Sequence, residues 1–148
     1  MKKISVIVVE DHQLVREMWT SLLEENNEIK IMGECGGFDE AIKMIKAKKP
    51  GIVLLDINLP KASGIDAIPL IRKFSPESRI IVVSMHNQSV YAKKMLQLGA
   101  RGYVTKNSSP QEMLTAIDEV MKGNTYICVE IRNQLSDQLL KEESGRPV

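Results

Sequence analysis

Short runs of apolar residues alternate along the chain with longer segments in which apolar residues recur every three or four positions. Apolar runs of this length, rich in β-branched residues, are typical of buried strands, and the periodic segments are typical of helices with one apolar face. The runs predict five strands, at residues 4–9, 29–34, 52–55, 79–83 and 102–104. The periodic segments predict five helices, at residues 12–26, 39–48, 64–74, 87–98 and from 110 up to Gly123. Strict alternation of this kind predicts βαβ units and a parallel sheet covered by helices.

Several residues mark where these helices begin and end. Gly99 stands where a C-terminal cap is expected. Ser109, Pro110 and Glu112 match an N-cap serine, a proline in the first helical position and the glutamate of a capping box. Pro69 lies near the start of its helix, where the hydrogen bond that proline forfeits costs least. The boundaries therefore agree with the hydrophobic pattern.

Polar side chains follow four of the predicted strands, at the point where each strand ends. They are Glu10 and Asp11 after the first strand, Asp56 after the third, Ser84 after the fourth and Lys106 after the fifth. Parallel strands share one carboxyl edge, so these side chains are expected at the same edge, where α/β sheets bind ligands. Three carboxylates together repel unless a cation lies among them, and Mg²⁺ suits oxygen ligands and a phosphate partner. With a lysine and a serine nearby, the set predicts an aspartyl phosphate formed by a nucleophilic carboxylate.

Each of these residues also has a structural explanation when taken alone. Lys106 is explained as a solvated lysine, and Ser84 as a cap at the end of a strand. Glu10 and Asp11 are explained as acidic residues at the start of the following helix, and Asp56 as a solvated loop residue. The joint pattern at one sheet edge is what favours a shared chemical role.

Four sequence motifs resemble the receiver domain of two-component response regulators. They are VIVVEDH with Glu10 and Asp11, LLDINLP with Asp56 followed by Gly64, VVSMH with Ser84, and GARGYVTK with Lys106. The resemblance covers residues 3–122 approximately. It implies a flavodoxin-like (βα)5 fold, a doubly wound five-stranded parallel sheet with strand order 2-1-3-4-5, here with an extra C-terminal helix.

The resemblance implies a role for each matching residue. Asp56 would accept a phosphoryl group from a histidine kinase, and Ser84 and Lys106 would contact the phosphoryl oxygens. Asp11, Asp56 and the backbone carbonyl of Asn58 would bind Mg²⁺, with Glu10 acting through water.

Further residues are implied in the conformational switch and in the lifetime of the phosphoryl group. Ser84 would pair with an aromatic residue of the fifth strand, Tyr103, which without the resemblance would be interpreted as a half-buried edge residue. Asn58 and His86 would flank the route of water to phosphorus, although His86 is also explained as a solvent-exposed residue at a helix start. One departure is that Asn107 follows Lys106 where many receivers have proline, so a cis peptide bond is not expected there.

Composition and charge agree with an ordinary globular protein. Of the 148 residues, 43% are hydrophobic and 26% are charged, and the formal net charge is +1, which gives no global reason to expect binding to nucleic acid or membranes. The two cysteines, Cys35 and Cys128, are far apart and lack metal-ligand spacing, so reduced thiols and a cytoplasmic location are expected. The apolar start is broken by Glu10 and Asp11, unlike a signal peptide, and no run reaches the length of a membrane span.

We expect residues 1–123 to form the receiver domain, and residues 124–148 to form a short helix at about 129–141 and a polar linker. The end of the receiver is most similar to the subfamily that precedes a LuxR-type helix-turn-helix output domain, and these 148 residues show no such domain. Two alternatives remain: a truncated transcriptional regulator, or a stand-alone receiver that acts through protein contacts. DNA binding is expected only through an output domain absent from this chain, and a homodimer is a further possibility.

Two other functions are considered. A hydrolase of the aspartyl-phosphate type would need its nucleophile on the first strand and a general acid two residues later, but Asn58 cannot transfer a proton. A nucleotide- or flavin-binding module would need a glycine-rich phosphate loop, and neither GxGxxG nor GxxxxGK[ST] occurs. The expectation is a signalling domain and not an enzyme, with slow self-dephosphorylation at most.

Overall fold

In the computed structural model, which describes residues 3–60 and 62–145, strands and helices alternate as the hydrophobic pattern predicts. The strands are β1 (Ile4–Val9), β2 (Ile29–Cys35), β3 (Ile52–Asp56), β4 (Arg79–Ser84), β5 (Gly102–Thr105) and β6 (Tyr126–Ile127). The helices are α1 (Gln13–Glu24), α2 (Phe38–Lys48), α3 (Ala67–Phe74), α4 (Ser89–Leu98), α5 (Pro110–Met121) and α6 (Val129–Gly145). A short 3₁₀ turn, Gly64–Asp66, precedes α3.

The strands form one parallel sheet in the order β2-β1-β3-β4-β5-β6. The order of the first five strands is the one that the receiver resemblance implies. Helices α1 and α5 contact each other, as do α2 and α3, in agreement with a doubly wound sheet that has helices on both faces. All five residues of β3 are buried, because the central strand is covered on both sides.

The sixth strand was not predicted from the sequence. Tyr126 N donates to Arg101 O at 3.0 Å, and Cys128 N donates to Tyr103 O at 3.0 Å, so β6 pairs with the outer edge of β5. A two-residue strand is too short to show periodicity, and it forms because an exposed edge offers unpaired backbone groups. The edge of β5 is therefore covered by the chain that leads into α6.

The caps predicted at Gly99 and Ser109 are confirmed, with one correction at Ser109, whereas α3 begins at Ala67 and not at Gly64, because residues 64–66 form the 3₁₀ turn. Gly99 caps α4 in the left-handed conformation, with φ of +116°. Ser109 Oγ accepts a hydrogen bond from Glu112 N at 3.1 Å, as an N-cap should. The capping box is incomplete, however, because the Glu112 carboxylate accepts from Tyr126 Oη at 2.8 Å and from Val129 N at 2.9 Å. Donors on β6 and α6 therefore bind the Glu112 carboxylate, which in a complete capping box would accept from the backbone N–H of Ser109.

The C-terminal helix is longer than predicted, continuing to Gly145 instead of ending near residue 141. Most of the predicted polar linker falls inside this helix, and its last part, residues 146–148, lies outside the described residues. Both cysteines are free and buried, as expected for reduced thiols. Within residues 3–60 and 62–145 no peptide bond is cis, so the bond between Lys106 and Asn107 is trans as expected.

Candidate functional site

The ends of β1, β3 and β5 bring two carboxylates and a lysine into direct contact. Lys106 Nζ lies 2.8 Å from Glu10 Oε1 and 3.1 Å from Asp56 Oδ2. The side chains of Glu10 and Asp56 are 3% and 1% exposed, and that of Lys106 is 16% exposed. The prediction that these strand ends meet at one edge is confirmed. The contacts form a compact charged site with one face toward solvent.

The loop after β3 shapes the surroundings of Asp56. Asn58 N donates to Asp56 Oδ1 at 2.8 Å, while the Asn58 side chain is exposed. Gly64 N donates to Ile57 O at 3.0 Å, which folds the loop back on itself. A Cβ atom on Gly64 would lie 2.5 Å from the Asp56 carbonyl oxygen, so only glycine permits this close approach behind the carboxylate. Both oxygens of the Asp56 carboxylate thus have a donor and a defined orientation.

A cluster of acidic groups next to Asp56 fits a divalent cation. Ligand atoms of Glu10, Asp11, His12 and Asp56 all lie within 4.8 Å of one another. Oδ1 of Asp11 is buried and accepts no hydrogen bond from the residues that the structure describes. A buried carboxylate oxygen without a donor is costly, and a hard cation such as Mg²⁺ would satisfy it. The residues present therefore fit a magnesium ion.

His12 is a neighbour of the site that the sequence did not indicate. Its backbone N donates to Glu10 Oε2 at 3.2 Å, and its ring Nδ1 lies 3.3 Å from Glu10 Oε2 and 3.3 Å from Asp11 Oδ1. The ring is 61% exposed. Proximity in sequence to Glu10 and Asp11 was the only available signal, and a single histidine after two acidic residues is not a specific one. His12 forms part of the solvent-facing rim of the site.

Burial and mutual contact move the pKa values of the two buried carboxylates in opposite directions. Burial, together with the hydrogen bond and negative charge of Glu10, raises the pKa of Asp56 from 3.8 to about 6. For Glu10, burial acts in the same direction, but hydrogen bonds from Asp56, Lys106 and His12 and the charge of Lys106 outweigh it and lower the pKa to about 2. Burial alone would lower the pKa of Lys106, yet the two carboxylates raise it. Asp56 is thus the carboxylate that the metal-free site holds least favourably in its charged form.

Replacing Asp56 with asparagine should stabilise the metal-free protein at about pH 7.5 by on the order of 1–3 kcal/mol. A raised pKa means that the folded state disfavours the Asp56 charge, and this cost is fully present above a pH of about 6. As the pH falls below about 6 toward 3.8, the folded protein takes up the proton and the cost disappears. The advantage of Asp56→Asn should therefore shrink with decreasing pH. Urea unfolding in a metal chelator at several pH values measures it, and an advantage that is the same at all pH values contradicts the assigned shift.

A second pair of polar side chains lies on neighbouring strands, with Ser84 at the end of β4 and Tyr103 within β5. Ser84 is fully buried, and its Oγ accepts a hydrogen bond from His86 N at 2.9 Å. Tyr103 is also fully buried, and its hydroxyl donates to His86 O at 2.8 Å. Burial raises the pKa of Tyr103, so this phenol stays a donor. The side chain of Ser84 and that of Tyr103 therefore hold the same loop residue from two sides.

The structure corrects the half-buried interpretation of Tyr103, because β6 covers the strand edge on which it lies. His86, for which solvent exposure was one of two interpretations, is partly buried, and its ring stacks on Tyr91 with 4.2 Å between ring centroids. The aromatic neighbour comes from α4, which sequence spacing did not connect with His86. Tyr103 and His86 are therefore both packed elements of this loop.

Trp19 of α1 is a core residue next to the site. It is 4% exposed, and it lines a cavity of about 10 Å³ that Glu10 and Asp56 also line. Its indole Nε1 is buried and finds no acceptor among the described residues. Trp19 is therefore part of the core. This indole forms one wall behind the two carboxylates.

A wider cavity lies at the opposite edge of the sheet. It has a volume of about 1090 Å³ and is lined at the amino ends of strands by residues such as Ser5, Gly51 and Arg79. None of the predicted site residues lines it. Although this cavity is large, the contacts among Glu10, Asp56 and Lys106 are at the carboxyl edge of the sheet.

The fold and the carboxylate–lysine site together define a parallel α/β domain with an acidic pocket at the carboxyl edge of its sheet. The response regulator receiver domain model matches residues 6–118. The chain is 33% identical over 145 residues to the response regulator UvrY of Escherichia coli O6:H1, covering 97% of this chain and 66% of UvrY. It is 32% identical over 133 residues to the response regulator GacA of Pseudomonas aeruginosa, covering 90% of this chain and 62% of GacA. The chain belongs to the response regulator receiver domain family.

Solved structures agree with this membership. The crystal structure of a LuxR-family two-component response regulator from Aurantimonas sp. SI85-9A1 superimposes with a TM-score of 0.88 at 31% identity, covering 94% of this chain and 99% of that one. The receiver domain of the putative response regulator NarL from Mycobacterium tuberculosis gives a TM-score of 0.79 at 29% identity, covering 84% of this chain and 100% of that one. The chain spans about two thirds of the length of the curated relatives described above. No helix in the described part of the chain is long and apolar enough to cross a membrane.

Proposed function

We propose that Asp56 is the residue that accepts a phosphoryl group from a histidine kinase. The observation that carries the proposal is the contact of Lys106 Nζ with both Glu10 and Asp56 beside an acidic cluster that fits Mg²⁺. A carboxylate oxygen of Asp56 would attack phosphorus, forming the O–P bond of an acyl phosphate while the P–N bond to the kinase histidine breaks. The backbone N–H of Asn58 donates a hydrogen bond to Oδ1 of this carboxylate and so fixes its orientation.

The charged neighbours of Asp56 supply the electrostatic conditions for this transfer. Asp11, Asp56 and the backbone carbonyl of Asn58 would hold Mg²⁺, with Glu10 binding through water. The bound ion would screen the carboxylates from the incoming phosphoryl dianion. The ammonium group of Lys106, which contacts Asp56, would bind a phosphoryl oxygen.

Ser84 would couple phosphorylation to a change in the neighbouring loop. Its oxygen accepts from His86 N, which leaves the hydroxyl hydrogen free to donate to a phosphoryl oxygen. Tyr103 donates to the carbonyl of His86, so a shift of Ser84 toward phosphorus would change the position of the group that Tyr103 binds. We therefore assign Ser84 and Tyr103 to the conformational switch.

Replacing Ser84 with alanine should leave phosphorylation intact but weaken the switch. A hydrogen bond to a charged group contributes roughly 1.5–3 kcal/mol, and a shift from 1:99 to 99:1 needs about 5.5 kcal/mol. The hydroxyl can therefore supply up to about half of the required free energy. Intact mass after acetyl phosphate and Mg²⁺ should show the phosphoryl group in both proteins, whereas the change in amide chemical shifts around Tyr103 should be smaller in Ser84→Ala. Equal changes in the two proteins rule out this coupling.

The lifetime of the phosphoryl group would depend on two residues at the solvent side. The exposed Asn58 side chain and the partly buried His86 would flank the approach of water to phosphorus. Asn58 cannot act as a general acid or base, so we propose slow self-dephosphorylation and no turnover of external phosphate esters. The domain then works as a signalling component and not as an enzyme.

We further propose that the phosphorylated domain controls transcription. One relative, 34% identical over 142 residues, is the transcriptional regulatory protein MctR of Rhizobium johnstonii. In that arrangement DNA binding would belong to a domain outside these 148 residues, and a homodimer in the cytoplasm would be the acting form. A stand-alone receiver that acts through protein contacts is the second possibility.

A further inference from the structure

The side chain of Arg16, on α1, connects the helix with the carboxyl ends of two strands beside the acidic site. Its Nη1 donates to the backbone carbonyl of Glu10 at 2.8 Å, and its Nε donates to Glu34 Oε1 at 3.4 Å. Glu10 directly follows β1, and Glu34 is the last but one residue of β2. The Arg16 side chain is 19% exposed, so the guanidinium is largely covered where it makes these contacts.

The contact with Arg16 fixes the peptide group between Glu10 and Asp11. Strand β1 ends at Val9, so the carbonyl of Glu10 lies beyond the strand. The N–H of Glu10 donates to Cys35 O at 2.9 Å, and its carbonyl accepts from Arg16, so both backbone polar groups of this residue are bound. The next side chain along the chain is that of Asp11, whose buried Oδ1 accepts no hydrogen bond from the described residues. The orientation of this peptide group therefore determines where the Asp11 carboxylate can lie.

Gly36, directly after β2, leaves the space that the Arg16 guanidinium occupies. A Cβ atom on Gly36 would lie 2.7 Å from Arg16 Nη1, but 3.4 Å from Glu10 O and from the Cα atom of Asp11. Only the first of these distances is too short for a non-bonded contact, so an added methyl group would displace the guanidinium and not the backbone. Gly36 does not have a positive φ, so alanine can adopt its backbone conformation. Gly36→Ala therefore disturbs the Arg16 contact while it keeps the arginine.

The charge and the geometry of Arg16 act in opposite directions on a cation at the acidic cluster. A guanidinium is always protonated and repels a second cation nearby. The carboxylate of Glu34, which pairs with Nε, offsets part of that repulsion. Removing a hydrogen bond that orients the ligands of a metal typically lowers the affinity for the metal about 10–100-fold. We therefore expect the orienting effect of Arg16 to exceed the repulsion by its charge.

We propose that Arg16 is a positioning residue for the magnesium site, and that it acts through the carbonyl of Glu10 on the orientation of Asp11. The proposal rests on the proposed function, in which Asp11 and Asp56 hold Mg²⁺. Arg16 would not contact the ion. It would hold the turn between β1 and α1 in place before the ion binds, so that binding does not have to order this turn.

Two variants that keep the net charge test the proposal by calorimetric titration with Mg²⁺. Arg16→Lys retains the charge but loses the planar group that reaches Glu10 and Glu34 at the same time. It should bind Mg²⁺ about tenfold more weakly than the wild type does. Gly36→Ala, which displaces the same guanidinium, should weaken binding in the same direction.

Arg72→Lys is the matched control. Nη1 of Arg72 also donates to a backbone carbonyl, that of Leu98 at 3.0 Å, but this arginine lines the cavity at the opposite edge of the sheet. The control makes the same chemical change to the same kind of contact, and it should bind Mg²⁺ as the wild type does.

Urea unfolding with a chelator and with a fixed concentration of Mg²⁺ separates positioning from a general loss of stability. A contact that only stabilises the fold lowers the stability of the metal-free protein and leaves the added stabilisation by Mg²⁺ unchanged. If Arg16 positions the site, the stabilisation by Mg²⁺ should be smaller in Arg16→Lys and Gly36→Ala than in the wild type. It should be unchanged in Arg72→Lys.

The outcomes also separate this proposal from the function of the site. If the wild type binds Mg²⁺ and either Arg16→Lys or Gly36→Ala binds it equally well or more tightly, the positioning role is wrong and the role of Asp56 is untouched. An equal weakening in Arg72→Lys overturns the positioning role as well, because the effect is then not specific to Arg16. Failure of the wild type to bind Mg²⁺ at all contradicts the proposed function, and the positioning role falls with it.

Discussion

Replacing Asp56 with asparagine should abolish the incorporation of a phosphoryl group from acetyl phosphate. Wild-type protein incubated with acetyl phosphate and Mg²⁺ should gain the mass of one phosphoryl group, because Asp56 is the carboxylate that the site orients with Asn58 N and Lys106 Nζ. An amide is not a nucleophile of comparable strength, so the variant should gain no mass. Intact-mass spectrometry measures both results. Removing Mg²⁺ with a chelator should suppress the wild-type reaction too, since the carboxylates would then repel the incoming dianion.

Asp66→Asn is the matched control for this experiment. Asp66 is an exposed aspartate at the start of α3 and makes no side-chain capping bond. Its replacement removes the same charge from the protein and should leave the mass gain unchanged. A phosphoryl group on the Asp56→Asn protein would show that another residue is the acceptor.

Replacing Lys106 with methionine should destabilise the metal-free protein by about 3 kcal/mol. Lys106 Nζ is the cation that contacts both Glu10 and Asp56, whose side chains are almost completely buried. Removing one partner of a buried ion pair leaves an uncompensated charge, and here two carboxylates would face each other. Urea unfolding in a chelator at about pH 7.5 measures the loss.

Mg²⁺ should recover part of this loss, because a divalent cation at the acidic cluster would replace the missing positive charge. The stabilisation by Mg²⁺ should therefore be larger for Lys106→Met than for the wild type. Lys122→Met is the control, since Lys122 forms an ion pair with Asp118 at 2.9 Å on the surface, and its removal should change the stability little. If both lysine variants lose the same stability, or if Mg²⁺ stabilises wild type and Lys106→Met equally, the charge balance assigned to the site is wrong.

Sequence motifs identify most of the residues that meet at the site, but they do not indicate the pKa values of those residues. Glu10, Asp56 and Lys106 were each recognisable as polar residues at strand ends, because a parallel sheet has one carboxyl edge. The opposite pKa shifts of Glu10 and Asp56 depend on burial and on which oxygen Lys106 Nζ approaches. Those distances arise only when three strands, separated by about 50 positions in sequence, are assembled.

The sequence by itself determined the five strand–helix units, the direction of the sheet and the set of polar residues at its carboxyl edge. These features follow from local periodicity and from short motifs, which do not need the rest of the chain. Tertiary structure alone decided that β6 covers β5, that Glu112 binds β6 and α6 instead of completing its own cap, and that Trp19 backs the acidic pair. It also decided that Gln134 of α6 accepts from Ser89 N at the start of α4, because a donor or acceptor chooses among partners that only the folded chain brings within reach.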